Sequence, residues 1–327
     1  MFKKSCRSWV EKYRPTSLLQ VSSQEHVIAS LKNVIKEKNI PHLIFFGPSG
    51  SGKTSTILAL AKDIFKEEFE SRTIELNASD ERGISVIRNK IKKYAKFSVN
   101  SKNKSIPKWK LIILDEADSM TRESQCALRR IMEEYSYITR FCIICNYHNK
   151  IIDPIVSRCS LLRFKPIEKN IIYDKLNEIC KLENVKLSKN DISKIIDISR
   201  GDLRKAINFL QKYQCISGTI TLNELAGYID NDKLKEWLKN CIKLNDIIVI
   251  KFTEKFFNDG YSLVNQIINI KNLILSNRSL SDKNKSEIII KLMEIDQNLI
   301  KGCDEYIQFL HLGYYITNLV KLEKDKS

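Results

Sequence analysis

Eight consecutive residues, Gly47-Pro48-Ser49-Gly50-Ser51-Gly52-Lys53-Thr54, satisfy G-x-x-x-x-G-K-[ST] at every fixed position. An apolar run, His42 to Phe46, precedes them and a helical pattern follows, so the local order is strand, loop, helix. Few folds accommodate this. The loop must leave a buried strand, turn tightly and enter a helix whose N-terminal amides point at an anion. Gly50 and Gly52 let the backbone turn with its N–H groups inward. Lys53 is placed to reach the β and γ phosphates of a nucleotide, and Thr54 to put its hydroxyl on Mg²⁺.

A second segment belongs with the first. Leu111-Ile112-Ile113-Leu114 is an apolar run that ends in Asp115-Glu116-Ala117-Asp118. Such a run suits a strand buried on both faces of a parallel sheet, its tip beside the phosphate loop. There Asp115 can hold the Mg²⁺ shell, and Glu116 can orient and deprotonate an attacking water, a contribution of roughly 10² to 10⁴ in rate. Arg140 to Asn146 is another apolar strand, and Asn146 falls at the same sheet edge. Its carboxamide suits sensing the γ phosphate or positioning water, or it is an ordinary strand-end turn.

The chain has 327 residues, 43% apolar and 29% charged, room for roughly two or three domains with separate cores. Its 55 Lys+Arg against 39 Asp+Glu leave a formal charge of +16. That excess fits a polyanionic partner such as nucleic acid, or else a lysine-rich solvated surface. Nine cysteines are too sparse for a disulfide scaffold. Cys142 and Cys145 read as buried packing on a strand, and no metal site is expected beyond Mg²⁺. Met1 to Val10 has charge but no apolar run, and no stretch has the length of a membrane span. A soluble intracellular protein is expected.

Taken in order, Trp9 to Pro15 is an aromatic-rich arm that either folds over a purine base or packs on the core. Gln24 to Lys38 is an amphipathic helix, and Lys53 to Phe65 is the helix after the loop. Thr73 to Asn77 is a short strand. Ile84 to Phe97 carries Arg88, Lys90, Lys92, Lys93 and Lys96 on a helical pattern, suited to tracking a phosphate backbone or to a solvated face. Ser98 to Pro107 is a polar loop. Pro154 breaks the segment after Asn146, and Leu161 to Phe164 is the last strand.

From Ile167 onward only helices are expected, which marks a boundary. Ile171 to Leu182 is one helix, and Ser188 with Asp191 starts the next. Gly201-Asp202 stops that helix and caps another, placing Arg204 in its first turn, where an anion is needed: a ligand, a solvent ion or Asp202 itself. Thr221-x-x-Glu224 starts a short final helix. The rest is helical, with Ser281 to Ser286 as a loop, and reads as an interaction domain. The division is 1–166, 167–230 and 231–327.

Seven segments in this order carry a family resemblance: WVEKYRP, GPSGSGKT, LNASDERGI, ILDEAD, ICNY, SRC and GDLRKAINFL. The chain resembles the small subunits of replication factor C, the ATP-driven loader of the sliding clamp, within the AAA+ ATPases. RFCIICNY, LRFKP and the 98–107 insertion look most like the eukaryotic branch that vertebrate naming numbers fourth.

The resemblance implies an α/β AAA+ domain with a parallel sheet, then a helical lid and an all-α collar. It implies ATP and Mg²⁺ as cofactors, with Val10, Tyr13 and Arg14 near adenine and residues 47–54 with Ser55 around the phosphates. Thr54 and Asp115 would hold the metal, Lys53 and Glu116 would serve the reaction, and Asn146 and Arg204 would be the first and second sensors. Arg158 of SRC would reach the site of an adjacent subunit, and Ile84, Ser85 and Arg88 would hold template phosphates. The implied partners are the other subunits of a heteropentamer, the clamp PCNA and primer-template DNA, with no membrane, in the nucleus. Another AAA+ DNA motor, such as a branch-migration helicase, and a structural subunit that binds ATP without hydrolysing it are the competing readings. Two loop positions depart from the commoner family form, Ser49 for Pro and Ser51 for Thr, and neither is expected to supply an essential side chain.

Overall fold

The computed structural model describes residues 8–21, 23–37, 39–78, 84–97, 106–216 and 222–324. The chain forms two compact units, Met1–Gln214 and Cys215–Ser327.

The first unit is built on five parallel strands: β1 His42–Phe46, β2 Thr73–Asn77, β3 Lys110–Asp115, β4 Thr139–Cys145 and β5 Cys159–Arg163. Their order across the sheet is β2-β3-β4-β1-β5. Because every strand runs the same way, the C-terminal ends of β1, β3 and β4 lie along one edge. Ligands of open α/β sheets bind at that edge.

Alternation along the strands explains their unbroken apolar runs. Leu43, Phe45, Leu111, Ile113, Cys142 and Ile144 enter one core cluster, with Val27 and Leu31 of α1 (Glu25–Glu37) and Ile57 to Phe65 of α2 (Lys53–Phe65). Ile44, Ile112, Leu114, Phe141, Ile143 and Cys145 enter the opposite cluster. There they meet Ile91 and Ala95 of α3 (Ile84–Lys96) and Leu128, Ile131 and Met132 of α4 (Arg122–Glu134). A strand covered on both faces has no solvent side to alternate towards.

Two buried basic residues brace this layer. The Lys110 ammonium donates to the carbonyls of Tyr94 and Phe97, and Thr139 Oγ1 donates to Ala95 O at 3.3 Å. These contacts take up carbonyls at the C-terminal end of α3 that have no partner within the helix. Arg72, fully buried, pairs with Glu68 at 2.5 Å and donates to Pro107 O at 2.7 Å.

His42 opens β1, and its Nδ1 accepts the Phe141 amide at 3.2 Å, so the folded ring is neutral. Burial, then the nearby Arg140 guanidinium, lowers its pKa from 6.5 to about 4. The unfolded chain therefore binds the extra proton first. Stability contributed by neutral His42 is complete above pH 6.5 and is lost as pH falls towards 4. Allowing for screening at a half-buried ring, the loss should be on the order of 1–2 kcal/mol. Denaturant midpoints measured from pH 7 to 4 should fall more steeply for the wild type than for His42→Asn; parallel curves would assign the acid loss to other groups.

Three helices complete the unit: α5 Lys169–Leu182, α6 Lys189–Ser199 and α7 Leu203–Ile216. Ser188 caps α6, its hydroxyl accepting Asp191 N at 3.1 Å, as the sequence predicts. Pro154 does not break its segment but sits in the first turn of a short helix, Asp153–Val156, where its missing N–H costs no intrahelical bond.

The second unit opens with a short helix, Leu222–Leu225, where one is expected from the sequence; Thr221, its expected start, lies outside the described residues. It then holds α8 Asn231–Ile242, α9 Asp246–Asn258, α10 Leu263–Ser276, α11 Asp282–Ile300 and α12 Glu305–Lys324. Trp237, Phe252, Phe256 and Phe309 stack at its centre, with ring centroids 4.8 to 6.5 Å apart. The expected loop at Ser281 to Ser286 is corrected. Ser281 is the N-cap of α11, accepting Asn284 N at 3.4 Å, and Asp282 to Ser286 are helical. The polar run is a capped first turn, in which Asp282, Lys283 and Ser286 face solvent and Asn284 is buried, donating to Glu323 Oε2 at 2.5 Å. No described helix is long and apolar enough to cross a membrane.

Candidate nucleotide site

Local backbone chemistry shapes the loop after β1. A Cβ on Gly47 would lie 2.2 Å from Phe164 O, so only glycine fits where the chain leaves the strand beside β5. Gly50 and Gly52 have φ of +64° and +93°, the left-handed region that glycine enters without penalty. Gly52 is also the N-cap of α2, its carbonyl accepting Thr56 N at 2.9 Å. The first-turn amides of α2 have no intrahelical acceptor. Residues 49–55 line a cavity of about 170 Å³ at that turn.

Lys53 is 8% exposed, and its Nζ donates to Gly47 O at 2.8 Å, Pro48 O at 2.9 Å and Asn146 Oδ1 at 3.1 Å. Burial pushes its pKa down, while Asp115 acts in the opposite direction. The Thr54 hydroxyl donates to Asp115 Oδ2 at 2.7 Å, and Asp115 Oδ1 accepts Glu116 N at 2.8 Å. A hydroxyl and a carboxylate in contact are hard oxygen donors suited to Mg²⁺, which keeps its other positions for water and phosphate oxygens. Glu116 lines the same cavity on a left-handed backbone, φ +54°.

The lid side of the cavity is made by the start of α7, with Leu203, Arg204 and Ile207. Val10, Tyr13 and Arg14 of the arm complete the wall. A second cavity of about 340 Å³ shares Tyr13, Arg14, Leu203 and Ile207 and extends to Val21, Ile167 and Ile171, an apolar slot of the kind a planar base fills. The arm is held to the helices by polar contacts: Lys12 Nζ and Tyr13 OH both donate to Glu183 Oε1, at 2.6 and 2.7 Å, and Trp9 N donates to Gln211 Oε1 at 3.1 Å. The hydrogen bond from Lys12, then that from Tyr13, holds the Glu183 carboxyl below its usual range.

The structure thus brings together Val10, Tyr13, Arg14, Ser49 to Ser55, Asp115, Glu116, Asn146 and Arg204. Gly47 and Pro48 join through the carbonyls that Lys53 meets. Arg158 does not line this cavity. It is exposed, pairs with Glu133 of α4 at 2.6 Å and donates to Pro154 O at 2.7 Å, while Glu133 also meets Arg129 at 3.0 Å. Ile84, Ser85 and Arg88 occupy the N-terminal turns of α3; their side chains, and residues 79–83 and 98–105, lie outside the described part of the structure. Cys142 and Cys145 are buried on β4, where burial raises the Cys142 thiol well above its usual range and the Cys145 thiol to about 12. Sequence reasoning missed Glu183, Glu133 and the loop contact of Asp202.

Replication factor C subunit 4 of Homo sapiens is 44% identical over 313 residues, which span 93% of this chain and 86% of that protein. The chain belongs to the replication factor C small subunits. That family is the AAA+ clamp loader of DNA replication, so the clamp-loading function implied by the sequence resemblance holds at the family level. Replication factor C subunit 2 of Saccharomyces cerevisiae is 42% identical over 328 residues, covering 95% of this chain and 93% of that one. The replication factor C small subunit of Archaeoglobus fulgidus is 40% identical over 317 residues, covering 96% and 98%.

Family models place the parts. Residues 23–168 match DNA polymerase III, delta subunit; 174–212 match RCF1/5-like, AAA+ ATPase lid domain; and 229–313 match Replication factor C C-terminal domain. A solved structure of a Thermotoga maritima RuvB mutant has a TM-score of 0.52 at 16% identity over 71% of this chain and 80% of that one, a likeness of fold alone.

Proposed function

We propose that this replication factor C small subunit binds ATP with Mg²⁺ in the cavity between the phosphate loop and the lid. It hydrolyses that ATP when an adjacent subunit lends a cation. The observation that carries the reading is the double contact in one cavity: Lys53 against Asn146, and Thr54 against Asp115. The former pair suits the γ phosphate and the latter the metal.

Bound Mg²⁺ would supply charge neutralisation at the β and γ oxygens. The chain's own residues do the rest. Loop amides and Lys53 bind the phosphates, Asn146 orients the nucleophilic water, and Glu116 accepts its proton as oxygen attacks the γ phosphorus and the bridge to the β phosphate breaks. Arg204 adds positive charge from the lid, and Val10, Tyr13 and Arg14 enclose the base. Arg158 acts in trans, on a neighbour's nucleotide. We assign 1–166 as the nucleotide-binding domain, 167–230 as lid and 231–327 as collar, in a nuclear heteropentamer that loads PCNA onto primer-template DNA. Single-site ATP hydrolysis in the reconstituted complex, with and without primer-template DNA, tests the reading; full-speed, DNA-indifferent turnover by the isolated chain would reject it.

The basic helix α3 supplies the DNA side of the proposal, with Ile84, Ser85 and Arg88 at template phosphates. Backbone contacts carry no sequence information, which suits loading at any primer end. Arg88→Ala should weaken primer-template binding and lower the slope of log affinity against log salt by about one. Equal slopes for variant and wild type would remove Arg88 from the phosphate contacts.

A further inference from the structure

The loop motif assigns no side-chain role to position 49. In the fold its hydroxyl has a partner. Ser49 Oγ donates to Asp202 Oδ2 at 3.2 Å, across 153 positions of sequence. The other carboxylate oxygen, Oδ1, accepts Lys205 N at 3.0 Å and so caps α7. Both oxygens of one 9%-exposed carboxylate are therefore engaged, one by the phosphate loop and one by the lid helix.

The approach is close. A Cβ on Gly50 would come within 1.8 Å of Asp202 Oδ1, so the loop backbone lies directly against the carboxylate. Asp202 is also held from behind, its amide donating to Ser199 O at 3.0 Å after Arg200 and Gly201, both with positive φ. Leu203, Arg204 and Ile207, which line the nucleotide cavity, follow on the same turns of α7. Whatever fixes Asp202 against the loop fixes that wall.

We propose that Ser49 is a positioning residue, whose hydrogen bond to Asp202 latches the lid helix to the phosphate loop and slows nucleotide release. The inference rests on the nucleotide reading of the site. It concerns retention of ATP and not its cleavage.

Release of a fluorescent methylanthraniloyl-ATP from the full chain, followed by stopped flow, provides the test. Ser49→Ala should release it about three- to tenfold faster, the range expected for loss of one hydrogen bond of ordinary net strength, since the donor is exposed and the bond is 3.2 Å long. Ser49→Thr keeps a hydroxyl and should release at close to the wild-type rate. In an Asp202→Ala background, Ser49→Ala should change nothing further, because its partner is gone. Should Asp202→Ala fail to fold, the Ala and Thr variants at position 49 still decide. In the assembled complex, KM for ATP should rise by a larger factor in Ser49→Ala than kcat changes. Release of Ser49→Ala at the wild-type rate, equal acceleration by Ala and Thr, or an undiminished effect without Asp202 would each overturn the latch. A wild-type chain that binds no nucleotide at all would overturn the site reading, and the latch with it.

Discussion

Lys53→Ala should weaken ATP binding by at least about a hundredfold and abolish turnover at this site, because the variant removes the only cation buried inside the phosphate loop among the described residues. The loss is larger than that of a surface lysine for two reasons. Lys53 is 8% exposed, so its attraction for phosphate is little screened by water. It also satisfies Gly47 O, Pro48 O and Asn146 Oδ1, so its removal leaves the loop carbonyls without their donor and frees the Asn146 carboxamide. Nucleotide titration of the purified chain, with thermal melting as the control for folding, checks this. Affinity within a few-fold of wild type would place the phosphates elsewhere.

Arg158→Ala has the opposite profile. ATP binding at its own site should be intact, since Arg158 does not line that cavity. Turnover at the adjacent subunit should fall by roughly 10³ or more, the scale on which a trans arginine acts in phosphoryl transfer. In the chain alone, the guanidinium is engaged by Glu133, which is shared with Arg129. An exposed, shared pair of this kind is weak, so it orients the arginine without locking it away from a stronger anion. Mixed complexes in which only this subunit carries the substitution separate the two effects. Unchanged turnover next door would reject the trans role, and loss of its own binding would mean that the residue serves its own pocket.

The strands and the phosphate loop are legible in the sequence because their constraints are local. A loop that must approach phosphate needs Gly50 and Gly52 at left-handed positions, and strands covered on both faces must be apolar without interruption. Asp115 and Asn146 fall at one edge because parallel strands end together. The links missed are those made between distant charged or polar residues in loops and at helix ends. Glu183 lies 171 positions from Lys12, and Ser49 lies 153 from Asp202. In sequence each resembles any solvated side chain, and only the approach of α5 and α7 to the arm and the phosphate loop gives it a partner. The Ser281 turn misleads for a related reason: a run of small polar residues serves a loop and a helix start equally well until the cap bond is seen.

Glu116 carries a consequence for how this chain can be improved. Its φ of +54° puts a side chain where a bare α-carbon would be more comfortable, by about 1 kcal/mol or more for a residue of this type. Any search for tougher variants that scores heat resistance alone will be drawn to glycine or asparagine there, and will discard the carboxylate that the cavity presents. At this one position, thermal robustness and chemical competence favour different residues.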